Sequence, residues 1–178
     1  MPTASVSAAE IAAAIRNVPD FPKPGIQFKD ITPVLADARL FAGIIHLLTE
    51  KFSPGDVDAV VGIDARGFIF AAAAAAKLNA GFVPVRKKGK LPFDTIEESY
   101  ALEYGQATVA MHVDALKPGS RVLLVDDLLA TGGTAAAAIS LVQKLGGQIL
   151  EVGFLIELKF LNGREKLSGL PVRSLVVY

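Results

Sequence analysis

Residues 122–135 constrain the fold more tightly than any other part of this chain. Val122-Leu-Leu-Val125 is a continuous apolar run of strand length, the pattern of a strand buried on both faces of a sheet. Asp126 and Asp127 follow, placed at the strand's end. A tight turn, Ala130-Thr131-Gly132-Gly133-Thr134, then leads into a helix with Ala135, Ala138, Ile139, Val142 and Leu145 on one face. Such a turn gathers backbone N–H groups where the helix N-terminus adds the positive end of its dipole, which makes a cradle for phosphate. The two acids stand where open α/β sheets hold their ligands. A phosphate loop beside paired carboxylates predicts a sugar phosphate, with hydroxyls or a metal on the acids. The plain alternative is an ordinary strand-to-helix joint made with glycine. Neither G-x-x-x-x-G-K-[ST] nor G-x-G-x-x-G occurs in the chain, which sets aside the P-loop and the dinucleotide fingerprint.

The rest of the chain reads as alternating strands and helices. Ser7 and Glu10 form a capping-box pattern ahead of Ile11 and Ile15. Asp20–Asp30 is rich in Pro and Gly and is expected to be a loop. Asp37 can cap a helix to about Phe52, with Leu40, Phe41, Ile44, Leu47 and Leu48 as its buried stripe. Asp58–Ile63, Gly81–Arg86, Gln106–Val113, Gln148–Leu158 and Val172–Val177 read as further strands. An Ala-rich helix is expected from Arg66-Gly67 to about Leu78, and a short one over Gly163–Leu167. Lys87–Gly105 has weak periodicity and reads as a long excursion. This alternation predicts an α/β fold, a mainly parallel central sheet with helices on both faces.

A length of 178 residues suits one domain, residues 1–178. There is no cysteine, so disulfides, thiolate metal sites and a cysteine nucleophile are excluded. Formal net charge is zero, which argues against a general nucleic-acid binder. The longest apolar run, Gly67–Ala76, is too short to cross a bilayer. With no basic segment followed by an apolar run at the start, no signal peptide is expected, and the expected location is cytoplasmic.

Three further stretches carry chemistry. In Gly62-Ile-Asp64-Ala-Arg66-Gly67-Phe68, a second strand-to-helix turn, Arg66 can offer a two-pronged fork to a diphosphate, or pair with a local acid such as Asp64. Phe21-Pro-Lys-Pro-Gly25-Ile-Gln27-Phe28-Lys29-Asp30-Ile-Thr-Pro33 presents an aromatic ring that can stack on a base or plug the core. Arg86, Lys87, Lys88 and Lys90 fall within five positions, a cluster that can face a polyanion or lie solvated on a loop.

Taken with Asp-Asp-Leu-Leu-Ala-Thr-Gly-Gly-Thr at 126–134, these stretches resemble the adenine phosphoribosyltransferase family of the type I phosphoribosyltransferases. The resemblance runs from about Phe21 to Leu167 and implies transfer of the 5-phosphoribosyl group of phosphoribosyl diphosphate to adenine, giving AMP and diphosphate. It implies an N-terminal hood over about residues 1–35 and a mobile catalytic loop over about 87–106. Ala130, Thr131, Gly132, Gly133 and Thr134 would grip the 5-phosphate, and Asp126 and Asp127 the ribose hydroxyls. Arg66, Arg86 and Lys90 would meet the diphosphate, the last two in a neighbouring subunit if the lid crosses to it. Phe28 would stack on adenine, with backbone groups of Gln27 and Lys29 reading its edge; this family usually carries Arg at Lys29. Within Ser99-Tyr100-Ala-Leu-Glu103-Tyr104-Gly105, Glu103 would handle the purine proton and Tyr104 would close over the sugar. Mg²⁺ is the cofactor that the resemblance implies, with few direct protein ligands, and a homodimer is the expected assembly. Two rivals stand beside this reading. One is the same chemistry on another base, such as xanthine, hypoxanthine or orotate. The other is a non-enzymatic regulator that binds phosphoribosyl diphosphate.

Overall fold

The computed structural model describes residues 6–102 and 105–178. The chain divides into two compact units, residues 1–47 and 48–178.

The first unit opens with α1 (Ala8–Ala14), whose capping box forms: the Ser7 hydroxyl accepts from the Glu10 N–H, and Glu10 accepts from the Ser7 N–H. Strands β1 (Arg16–Pro19) and β2 (Gln27–Asp30) then pair antiparallel, with Val18 opposite Phe28. Asp20–Asp30 is therefore not loop throughout. The proline-rich part is confined to the turn, and Gln27–Asp30, free of proline, takes up the ladder. Helix α2 (Thr32–Ala36) escapes a reading by periodicity because it is barely one turn, with Pro33 in its first turn, where a missing N–H costs nothing. Helix α3 (Ala38–Thr49) starts where Asp37 predicts: its carboxylate accepts from the N–H groups of Arg39 and Leu40.

The second unit is built on a seven-stranded sheet in the order β5-β6-β4-β3-β7-β8-β9. Its members are β3 (Ala59–Ile63), β4 (Gly81–Lys87), β5 (Thr95–Ala101), β6 (Gln106–His112), β7 (Arg121–Leu129), β8 (Gln148–Glu157) and β9 (Val172–Val177). Strands β4, β3, β7, β8 and β9 run parallel, and β5 and β6 form an antiparallel extension of one edge. Helices α4 (Gly67–Leu78) and α5 (Gly133–Lys144) complete the crossovers. Alternation along the strands sorts the faces. Val61, Ile63, Val83, Leu124 and Phe154 pack in one cluster with Ala138 and Leu141 of α5. Gly62 points the other way, where a Cβ would lie 2.6 Å from Ala71 Cβ of α4. The expected sheet with a helix on each face is thus present.

Two expectations are corrected here. The excursion Lys87–Gly105 contains a strand, because Thr95–Ala101 pairs residue by residue with Gln106–His112. Ile96 and Tyr100 alternate onto the α5 side and pack against its core, a period-2 signal hidden by Glu97 and Glu98. Asp126 and Asp127 do not end their strand either. Pairing of β7 with β8 continues to Leu129 opposite Glu157, whereas pairing with β3 stops at Val125 opposite Gly62.

Candidate active site

That mismatch in strand length creates the site. The chain leaves β3 through α4 to reach β4 on one side, and leaves β7 through α5 to reach β8 on the other. The crossovers diverge between β3 and β7, and a crevice opens at the carboxyl ends of those two strands. Asp126 and Asp127 occupy β7 just where β3 no longer covers it, so the acids stay in the sheet while one flank faces the crevice.

From the β3 side, the turn Asp64–Arg66 enters the same crevice. Arg66 Nε lies 2.8 Å from Asp127 Oδ2. The sequence offered Asp64 as a partner for Arg66, but Asp64 instead accepts from Arg86 Nε at 3.1 Å, across from β4. A second nitrogen of Arg86 donates to the Lys90 carbonyl at 2.9 Å, closing the turn at the end of β4. Arg66, Arg86 and Lys90 are therefore held around one turn, with the Lys90 side chain exposed. Gly67 lets α4 begin against β7: a Cβ there would sit 2.5 Å from Asp126 Oδ1 and 3.2 Å from the Asp126 Cα.

The phosphate-type loop has the form its sequence predicts. Gly132 is the N-cap of α5 in the left-handed region (φ 80°), a conformation that an L side chain resists, and no side chain caps the helix. The first bond of the helix ladder runs from the Ala136 N–H to the Gly132 carbonyl. The N–H groups ahead of it belong to the set that no helix satisfies internally. Asp126 and residues 128–135 line a pocket of about 80 Å³. The loop is backed by residue Gly163, in the short 3₁₀ turn Gly163–Leu167: a Cβ on either Gly132 or Gly163 would strike the other's backbone. Nothing in the 126–134 motif signals this buttress, since Gly163 acts only through its lack of a side chain. Arg164 fastens the buttress by donating to both carboxylate oxygens of Glu157 on β8 and to the Val172 carbonyl.

Both acids are buried. Burial pushes Asp126 well above the ordinary carboxylate range, and the neighbouring Asp127 charge adds to the shift. Burial raises Asp127 as well, opposed chiefly by the Arg66 guanidinium. The pair is thus a charge sink that favours a cationic or metal-bearing partner, or a hydroxyl to which it can donate and from which it can accept.

Gln27, Phe28 and Lys29 lie in the first unit, on β2. The Phe28 ring is half-buried and packs edge-on against exposed Phe21, centroids 5.1 Å apart, so it does not plug a core. Lys29 Nζ donates to Asn17 Oδ1 at 2.7 Å, which occupies its side chain within the hairpin. Glu103 and Tyr104 lie outside the described residues. Two residues that hold α5 were given no role by the sequence: Tyr100, which lies within the Ser99–Gly105 stretch, and Glu98, which lies outside every motif. Tyr100 of β5 receives a hydrogen bond from the Thr134 hydroxyl, and Glu98 accepts from Ser140 and Lys144 of α5.

Residues 30–173 match the phosphoribosyl transferase domain family. An adenine phosphoribosyltransferase of Acidothermus cellulolyticus is 58% identical over 93% of this chain and 94% of its own length. Among solved structures, the adenine phosphoribosyltransferase of Rhodothermus marinus superposes with a TM-score of 0.91 at 53% identity, covering 96% of this chain and 98% of that one. The Saccharomyces cerevisiae enzyme, complexed with D-2,5-dideoxy-2,5-imino-altritol 1,6-bisphosphate and adenine, superposes at 0.89 and 42% identity, over 95% of this chain and 98% of its own. Crevice, loop and acid pair thus occur in a chain that belongs to the phosphoribosyltransferase family and, within it, to the adenine phosphoribosyltransferases.

Proposed function

We propose that this protein transfers the 5-phosphoribosyl group of phosphoribosyl diphosphate to adenine, forming AMP and diphosphate in purine salvage. The observation that carries the site assignment is the uncapped N-terminus of α5 standing beside a buried acid pair bridged to Arg66, all at one switch point. A bisphosphate and adenine bound to the yeast relative support the substrate class.

The chemistry breaks the bond from the ribose C1 to a diphosphate oxygen and forms one from C1 to an adenine nitrogen. The adenine gives up a proton. The loop Ala130–Thr134 holds the 5-phosphate with N–H groups, each charge-assisted bond contributing about 1.5–3 kcal/mol. Asp126 and Asp127 orient the ribose hydroxyls and favour the positive charge that grows on the sugar as diphosphate departs. Arg66, Arg86 and Lys90 stabilise the charge on the leaving diphosphate. Phe28 stacks on adenine, the backbone of Gln27 and Lys29 reads its edge, Glu103 takes the proton and Tyr104 closes over the sugar.

A divalent cation, Mg²⁺ in this reading, fits as a substrate-borne ion. Among the described residues no group of three or more His, Asp or Glu is arranged to hold a metal, and one of the two crevice acids is engaged by Arg66. Diphosphate oxygens and water suit an ion that keeps much of its hydration, and bound there it would neutralise leaving-group charge. Among the described residues no helix is long and apolar enough to cross a membrane. A cytoplasmic homodimer completes the proposal, and sedimentation at equilibrium tests the dimer.

Diphosphate release with Mg²⁺ and each of adenine, guanine, hypoxanthine, xanthine and orotate decides the substrate. Release with adenine alone, lost in Glu103→Gln and in Asp126→Asn/Asp127→Asn, is the expected result. Turnover with another base would overturn the role of Phe28. Tight binding of phosphoribosyl diphosphate with no release would make the protein a regulator.

A further inference from the structure

The β5–β6 hairpin is fastened to α5 at three points along one face. Glu98 accepts from Ser140 and from Lys144. Two residues on, Tyr100 meets the first turn of α5, where the Thr134 hydroxyl donates to Tyr100 Oη at 2.9 Å. The fit is close, because a Cβ on Gly133 would lie 2.9 Å from Tyr100 Cδ2. Thr134 lines the loop pocket; Tyr100 does not. A hydroxyl has one proton to give. With that proton turned to Tyr100, Thr134 faces the pocket with lone pairs, which repel an anion. When Tyr100 donates instead, Thr134 accepts from it and its own proton points into the pocket. The same oxygen positions serve both arrangements, and a phenol is the stronger donor of the two.

We propose that Tyr100 is a positioning residue for phosphate binding: its hydroxyl donates to Thr134 Oγ1 and thereby turns the Thr134 proton toward the 5-phosphate. This rests on the reading of Ala130–Thr134 as the 5-phosphate loop. Tyr100→Phe keeps the ring against Gly133 and removes only the hydroxyl. In the full-length protein, calorimetric affinity for ribose 5-phosphate is expected to fall roughly fivefold, the scale of one lost hydrogen bond between neutral groups. KM for phosphoribosyl diphosphate should rise with it, while KM for adenine stays unchanged. In a Thr134→Val background, Tyr100→Phe should add less than about twofold, because contacting residues that act through one group are not additive. In a Thr134→Ser background, which restores a hydroxyl, the full loss should return. Wild-type affinity in Tyr100→Phe, or an equal loss with and without the Thr134 hydroxyl, would show that the tyrosine only packs, and would overturn the proposal. Failure of the wild-type protein to bind ribose 5-phosphate would overturn the loop assignment itself.

Discussion

At the scale of single residues, the site is organised by two kinds of side chain: those that are missing and those that are buried with charge. Gly132 and Gly163 touch backbone to backbone, and Gly67 sits on Asp126, so all three positions exclude even a methyl group. Gly132→Ala meets both a positive φ and the Gly163 carbonyl. It should abolish ribose 5-phosphate binding and cost about 1–3 kcal/mol of stability in urea titration. The buried acids act in the opposite sense, because their charge opposes folding. A carboxyl whose folded pKa is raised binds more protons in the native state, so stability falls as pH climbs from the ordinary carboxylate value through the raised one. Asp126→Asn removes this penalty and keeps an oxygen for the Asp127 N–H. The variant should melt higher than wild type by a few degrees at neutral pH. The gain should fade on acidification below about pH 4, where both carboxyls are protonated in either state. Scanning calorimetry at a series of pH values reads the effect; a gain that persists in acid would refute the charge explanation.

At the scale of elements, a helix lies closely on a strand only where the two surfaces leave room. The strand β3 and helix α4 meet at Gly62 and Ala71, with the Phe82 ring 2.9 Å from a Gly62 Cβ position. The absent side chain at Gly62 makes room for the Ala71 methyl. Gly62→Ala should therefore cost about 1–3 kcal/mol by overpacking. Adding Ala71→Gly should recover part of that loss, offset by up to about 1 kcal/mol for glycine inside a helix. Denaturant midpoints of the two single variants and the double variant test this; a strictly additive double would mean that the two sites do not touch. The N-terminal ends of β3 and β7 are joined differently. Asp58 accepts from the Arg121 guanidinium and N–H, which holds its pKa down to about 2. A depressed acid stabilises the fold above the unfolded carboxylate pKa, and that contribution is lost as pH falls through the depressed value. Asp58→Asn should lower the melting temperature at neutral pH, and the difference should narrow as the pH approaches 2.

For the whole molecule, a phosphate site distributed over β3, β4, β7 and α5 ties ligand binding to global stability. At a ligand concentration of 100 times Kd the linkage contributes about 2.7 kcal/mol. Ribose 5-phosphate should then raise the melting temperature by roughly 5–10 °C for a protein of this size, and the shift should vanish in Gly132→Ala. The sequence by itself determined a good deal of this architecture. The apolar runs at Val122 and Ala59, the Ala-rich helix after Gly67 and the loop Ala130–Thr134 are written in local period and turn chemistry, which depend on neighbours a few residues apart. The same holds for the Ser7 and Asp37 caps. Tertiary structure alone decided which charges meet. Arg66 joins Asp127 rather than Asp64, Arg86 takes Asp64, and Tyr100 reaches Thr134 across 34 positions of chain. It also decided where the acids open to the crevice, because β7 outlasts its pairing with β3 while keeping its pairing with β8. Those outcomes depend on sheet order and register, which bring distant residues together by backbone pairing and leave no periodic trace in either partner's own sequence.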